Sequence, residues 1–159
     1  KESTLKLRII SVGHKMPNWV ETACAEYTKR MPREISLEII EIKPEKRASG
    51  NSTENIQLIE AKRILDAIGK DYCIALDEHG QEVTTLQLAD KLKNWQQLGR
   101  DVALIISGAD GLHSSVKLAA NWLWSLSKLT LPHAMVRVIL AEQLYRAHTV
   151  ISNHPYHRE

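Results

Sequence analysis

Phenylalanine is absent from the 159-residue chain, and aromatic residues of all kinds make up 5% of it. Ile, Leu and Val must therefore fill the core, with four Trp and four Tyr in support. Cysteine is scarce too. Cys24 and Cys73 have neither a C-x-x-C arrangement nor other metal-ligand spacing, which excludes a thiolate metal site and reads as two free thiols in a reducing compartment. No apolar run approaches the roughly 20 residues needed to cross a bilayer, so no membrane association is expected. The basic start runs into alternating residues instead of the apolar centre of a signal peptide, and a cytoplasmic location is expected. A large net charge is also missing, and a formal +2 does not by itself announce nucleic acid. Arg8, Lys15, Lys29, Arg30, Arg33, Lys43, Lys46 and Arg47 crowd the first third. Glu21, Glu26, Glu34, Glu38 and Glu41 are interspersed, so charge alone favours a solvated mixed surface over a binding patch.

What is present is the composition of an ordinary globular domain, with 43% hydrophobic and 25% charged residues at a length that suits one core. Hydrophobic period divides the chain into alternating elements. Leu5–Val12 reads as a strand, Pro17–Arg30 as a helix, Leu37–Ile42 as a strand and Ile56–Ile68 as a helix, with a polar loop over Lys43–Asn55. Tyr72–Leu76 reads as a buried strand, Thr84–Leu98 as a helix, Val102–Ile106 as a buried strand and Leu112–Leu123 as a helix. Leu126–Leu131 reads as a final strand or extended segment, stopped by Pro132, and Ala134–Val150 as the last helix. Strands without a polar face imply a mostly parallel sheet with helices on both sides: a single-domain α/β fold over residues 1–159.

Ligands of open parallel sheets bind beyond the carboxyl ends of the strands. Three such ends look prepared: Asp77-Glu78-His79-Gly80, Ser107-Gly108-Ala109-Asp110-Gly111 and Pro132-His133. Gly108 and Gly111 would let backbone amides approach a ligand. The pair is neither the G-x-G-x-x-G fingerprint nor a P-loop, and an ordinary strand-to-helix turn uses the same glycines. The last helix is apolar almost all round in its first half, through Met135, Val136, Val138, Ile139 and Leu140. A helix with no polar face is buried on all sides, which predicts a homodimer with this helix in the interface. Arg137, Glu142, Tyr145 and Arg146 punctuate it. An Arg146–Glu142 pair one turn apart and a role with RNA account equally well for Arg146. The tail carries His154, Pro155, Tyr156, His157 and Arg158, residue types that stack on bases and clamp phosphate. Two histidines without a third ligand do not make a metal site, and none is expected.

Several strings are more specific. They are Leu104–Ile106 with Gly108-x-x-Gly111-Leu112, Trp124-Ser-Leu-Ser-Lys-Leu-Thr-Leu-Pro-His133, Val136-Arg-Val138, Ala141-Glu-Gln-Leu-Tyr-Arg-Ala147 and Asn153-His-Pro-Tyr-His-Arg158. With Val12-Gly13-x-Lys15-Met16-Pro17 and Tyr27-x-x-Arg30, they closely resemble the RlmH family of the SPOUT superfamily, bacterial methyltransferases acting on N3 of a pseudouridine in large-subunit rRNA. The resemblance covers essentially the whole chain. It implies a SPOUT fold with a C-terminal trefoil knot over about 100–159, which no periodicity could have indicated. It also implies a homodimer and S-adenosylmethionine as cofactor, with a stem-loop of 23S rRNA on the assembled ribosome as substrate. Carried over position by position, the cofactor contacts fall on Leu76, Gly108 and Leu126, Ser127, Lys128, Leu129, Thr130 and Leu131.

The imide nitrogen of the target carries a proton that must leave before or during attack, so a base or an anion-favouring environment is needed. His133, Tyr156 and His157 are candidate acceptors. Arg137, Arg146 and Arg158 are candidates to stabilise charge on the imide oxygens or grip phosphate. In a family of this type the tail of one subunit is expected to complete the site of the other. Two rivals remain: a non-catalytic RNA- or ribosome-binding dimer of the same fold, and a related knotted methyltransferase acting on tRNA.

Overall fold

The computed structural model describes residues 4–13, 16–47, 50–107 and 111–158. Gly108, singled out above, lies outside them. Along the chain run β1 (Leu5–Val12), α1 (Asn18–Thr28), β2 (Ile35–Ile42), α2 (Thr53–Ile68), β3 (Tyr72–Gln81), α3 (Thr85–Gln96), β4 (Val102–Ile106), α4 (Ser114–Ala119), β5 (Trp122–Trp124) and α5 (His133–Ile151), followed by a 3₁₀ turn at Pro155–Arg158. The five strands form one sheet in the order β2-β1-β4-β3-β5, and every pairing is parallel.

Alternation along each strand decides which layer a side chain joins. Leu5, Leu7 and Ile9 of β1, with Leu104 and Ile106 of β4, enter a core closed by Leu88, Leu92 and Trp95 of α3 and Leu140 and Leu144 of α5. Ile10, Val12, Ala103 and Ile105 enter the opposite core, closed by Ile64 and Ile68 of α2 and Val116 of α4. Trp95, Trp124 and Tyr145 supply the bulky buried rings of a chain without Phe. Truncating one of the fully buried leucines, such as Leu104, costs about 2–5 kcal/mol by loss of transfer energy plus a cavity.

Local chemistry sets the ends of the helices. Ser52 accepts from the backbone N–H of Asn55 at 3.1 Å and caps α2. Thr84 and Gln87 form a reciprocal capping box that starts α3. Gly69 ends α2 at φ +54°, a conformation that favours glycine. The basic residues of the first third are partly neutralised on the spot: Arg8 pairs with Asp71 and Glu38, and Glu26 holds Lys29 and Arg30.

Three segments differ from the expectations. The strand read as Tyr72–Leu76 runs on to Gln81, so Asp77-Glu78-His79-Gly80 lies within β3 and not beyond its end. Leu112–Leu123 is not one helix: α4 covers only Ser114–Ala119, and the chain then enters β5 at Trp122–Trp124. The Asn121 side chain accepts from the Cys73 backbone while its own N–H bonds the Cys73 carbonyl, which holds the start of this edge strand. Leu126–Leu131 forms no strand. Its backbone leaves the sheet and bends around the end of β3, while its apolar alternation serves a cleft instead of a pleat. The all-round apolarity of α5 also has an explanation within one chain, because α1 and α3 pack along its two flanks above the sheet. Cys24 and Cys73 are free and buried; burial pushes both thiols up, Cys73 to about 11.

Candidate active site

The carboxyl ends of β3 and β4 and the segment after β5 enclose a cleft of ≈ 310 Å³. Its apolar walls are Leu76, Ile106, Trp124, Leu126, Leu131 and Val136. Ser107, Ser125, Ser127, Thr130 and His133 add polar groups, and Asp77 and Glu78 add carboxylates. A second hollow of ≈ 350 Å³ shares Leu76, Asp77, Glu78 and Ser107 with it and extends to Leu112 and Lys117. The Lys117 ammonium lies 3.6 Å from the Asp77 carboxylate.

Two local devices shape the cleft. The first is an irregularity in β3: Leu76 and Gln81 both register with Trp124, so residues 77–80 bulge out between them. Gly80 permits this, because a Cβ there would stand 2.7 Å from the backbone of Leu123 and Trp124. The second is a pair of serine turns after β5. The Ser125 hydroxyl donates to the Ser127 carbonyl at 2.9 Å, and the Ser127 hydroxyl accepts from the Leu129 N–H at 2.9 Å. Side-chain hydroxyls thus take over the bonding that a β ladder would have provided.

Of the residues expected to contact the cofactor, Leu76, Leu126, Ser127, Leu129, Thr130 and Leu131 line the cleft. Lys128 does not; its side chain is 89% exposed, 3.8 Å from Glu82. Leu129, though at the rim, is 75% exposed.

His133 opens α5 at the cleft. Its Nε2 lies 3.0 Å from the Ser11 hydroxyl, which also accepts from Arg137 Nη2 at 3.0 Å. Burial and the neighbouring Arg137 guanidinium hold the imidazole below its ordinary pKa, against the opposing effect of a hydrogen bond with the Ser107 backbone. Arg137 is 3% exposed, its Nη1 is 3.9 Å from Glu41, and its Nε has no hydrogen-bond partner among the described residues. A buried guanidinium with an unpaired N–H is under-satisfied, a state that most buried polar groups avoid.

The remaining catalytic candidates sit elsewhere on the same chain. The Tyr156 hydroxyl donates to Glu142 at 2.8 Å, and its ring meets Tyr145 edge-on at 4.8 Å and lies under the Arg146 guanidinium. Glu142 also accepts from Arg146 Nε at 3.0 Å, the intrahelical pair anticipated from spacing. Burial and Glu142 push the Tyr156 phenol well above its ordinary pKa. His157 is half-buried, its Nδ1 without a partner among the described residues, and Arg158 is exposed. The contact at Glu142 lies nine residues past His133, about 14 Å along the helix. His133 is therefore brought to the cleft and Arg137 is buried beside it against Ser11, whereas Tyr156, His157 and Arg158 of the same chain do not line it. Among the described residues, no group of three or more His, Cys, Asp or Glu is arranged to hold a metal, and no helix is long and apolar enough to cross a membrane.

Ser11 went unnoticed in the sequence. Its only signal is a small polar side chain in the apolar run Ile9-Ile10-Ser11-Val12, and its partners are more than 120 residues away. Ser125 and Trp124 were visible only as part of the string that carries the family resemblance.

A parallel sheet with a ligand-sized cleft beyond its strands is the architecture of an α/β ligand-binding protein. The chain belongs to the SPOUT methyltransferase family, whose model, described as a predicted SPOUT methyltransferase, matches residues 5–157. It is 72% identical over 155 residues to the ribosomal RNA large subunit methyltransferase H of Methylobacillus flagellatus, covering 98% of this chain and 100% of that one. It is 56% identical to the methyltransferase of the same name from Paraburkholderia phymatum, covering 97% and 99%. Two solved structures share the fold at 11% identity. A probable methylase family protein from Haemophilus influenzae superposes with a TM-score of 0.57 over 97% of this chain and 70% of its own. A tRNA (m1G37) methyltransferase from Aquifex aeolicus superposes with 0.53 over 91% and 70%.

Proposed function

We propose that this protein transfers a methyl group from S-adenosylmethionine to N3 of a pseudouridine in a stem-loop of 23S rRNA, acting as a homodimer on the assembled ribosome. The observation that carries this reading is the cleft, whose apolar walls from Leu76, Leu126, Leu131 and Trp124 suit an adenine ring. Serine and threonine hydroxyls suit the ligand's polar edges, and the Asp77 and Glu78 carboxylates suit ribose hydroxyls or a sulfonium charge. Full-length identity to enzymes named as large-subunit rRNA methyltransferases points to the substrate.

The bound cofactor supplies an electrophilic methyl group, so the protein's work is positioning and proton management. The loop through Leu126–Leu131 holds the donor against β3 and β4. Arg137, with spare donor capacity, stabilises charge developing on an imide oxygen. Tyr156, His157 and Arg158 act from the partner subunit, since the tail of the same chain is latched to Glu142, away from the cleft. A knotted C-terminal region belongs to the same reading: after β4 in the sheet's interior the chain reaches the edge strand β5 and returns as α5 against β4.

Mass spectrometry of rRNA and tRNA from a deletion strain tests the activity. The expected result is loss of one methyl group from a 23S pseudouridine, restored by this chain. An unchanged 23S rRNA, or loss from tRNA, would overturn it. Calorimetry with S-adenosylmethionine separates the enzyme from a pure RNA-binding dimer, which would release no heat.

A further inference from the structure

We propose that Ser11 is a positioning residue that locks His133 in the tautomer with its proton on Nδ1, so that His133 fixes the Ser107 end of the cofactor cleft and does not take the substrate proton. A count of donors and acceptors supports this. Arg137 is a permanent donor, and its Nη2 occupies a lone pair of Ser11 Oγ. The hydroxyl hydrogen of Ser11 is buried and needs an acceptor. His133 Nε2 is 3.0 Å away and provides one if it carries no proton.

The other edge of the ring gives the same answer. The Ser107 backbone bond favours the protonated ring, and the backbone group with that effect is a carbonyl accepting from a ring N–H. With Nε2 committed to Ser11, the donated N–H is on Nδ1. A doubly protonated ring would set a second cation beside Arg137, whose charge the nearby Glu41 offsets only from 3.9 Å. Cys24, which also lies near Arg137, is held as a thiol by its burial. His133 therefore has no vacant lone pair to serve as general base. The Nδ1–H edge of the ring is turned toward Ser107, directly after β4 and on the wall of both hollows.

The inference rests on the methyl-transfer reading only for the fate of the substrate proton, and the tautomer is measurable without any turnover. Long-range ¹H–¹⁵N correlation of the histidine rings at neutral pH should show His133 with Nδ1 protonated. Ser11→Ala should turn this into a tautomer mixture or an Nε2-protonated ring, and Ser11→Thr should restore it. An Nε2-protonated or cationic His133 in the unaltered protein would overturn the proposal, as would no tautomer change in a folded Ser11→Ala protein. The kinetic arm compares two substitutions. His133→Asn, whose amide N–H takes the place of Nδ1–H, should raise KM for S-adenosylmethionine by roughly threefold to tenfold, one hydrogen bond's worth, and His133→Ala by more. A fall in kcat of about 10²–10⁴, equal in both and without a change in KM, would instead mark His133 as the general base. Absence of methylation in the unaltered protein would refute the proposed function but leave the spectroscopic test intact.

Discussion

The two halves of α5 each carry an arginine and treat it in opposite ways. Arg146 is satisfied within its own chain: Glu142 takes its Nε and Nη2, and the Tyr156 ring covers its face. Arg137 is more deeply buried, yet among the described residues it has one close hydrogen bond and an Nε with none. A paired guanidinium on a helix surface stabilises locally by tenths of a kcal/mol. An under-paired one in the interior costs stability. The difference separates a latch from a reserve: the C-terminal half fastens the tail, and the N-terminal half holds an under-paired guanidinium against Ser11.

The largest effect should come from the latch side. Removing residues 156–159 should abolish methylation while S-adenosylmethionine binding by calorimetry and the circular dichroism spectrum persist; retained methylation would mean the tail takes no part. Arg137→Met should come next. Methylation should fall by at least about 100-fold, as for loss of a charge-stabilising donor. The urea-unfolding free energy should change by less than about 1 kcal/mol, since an under-compensated buried charge leaves with the side chain. A large destabilisation would show that Arg137 is structural. Gly80→Ala should act through the bulge. Its Cβ would press on the backbone of Leu123 and Trp124, costing about 1–3 kcal/mol as overpacking does and weakening donor binding along with stability.

The pH dependence sharpens the same contrast. His133 is held below its ordinary pKa, so its contribution to stability is present above the unfolded value of about 6.5 and is lost as pH falls below it. Tyr156 is held above its ordinary value, so the tail latch is present below about pH 10 and is lost as pH rises further. Denaturant titrations on the acid side and hydrogen exchange of the tail on the alkaline side should show these opposite signs. The smallest effect belongs to Lys128→Ala. With its ammonium in solvent and only a distant carboxylate nearby, donor affinity should shift by less than about threefold.

Much of the fold was legible because its strands are buried apolar runs. β1 and β4 match the hydrophobic pattern end to end, and β2 differs only in starting at Ile35. β5 was illegible for the converse reason. Three residues carry too little period to register, and Leu126–Leu131 next to them alternates like a strand while doing a different job. The cleft side of the site was legible as strand ends and as a family string. The Ser11–His133–Arg137 contacts were not, because they join residues at opposite ends of the chain that only the β1–β4 pairing and the packing of α5 bring together.

The missing phenylalanine leaves the chain's few rings with separate addresses. Trp124 lines the cleft and stacks on Trp122 at 5.2 Å and 10°, while Trp19 stands in solvent on the far side of the sequence. Filling the cleft should therefore change the intrinsic fluorescence of the Trp122–Trp124 pair and leave Trp19 as a constant background. The proposed cofactor cleft thus carries its own optical gauge of occupancy, readable without label or substrate RNA.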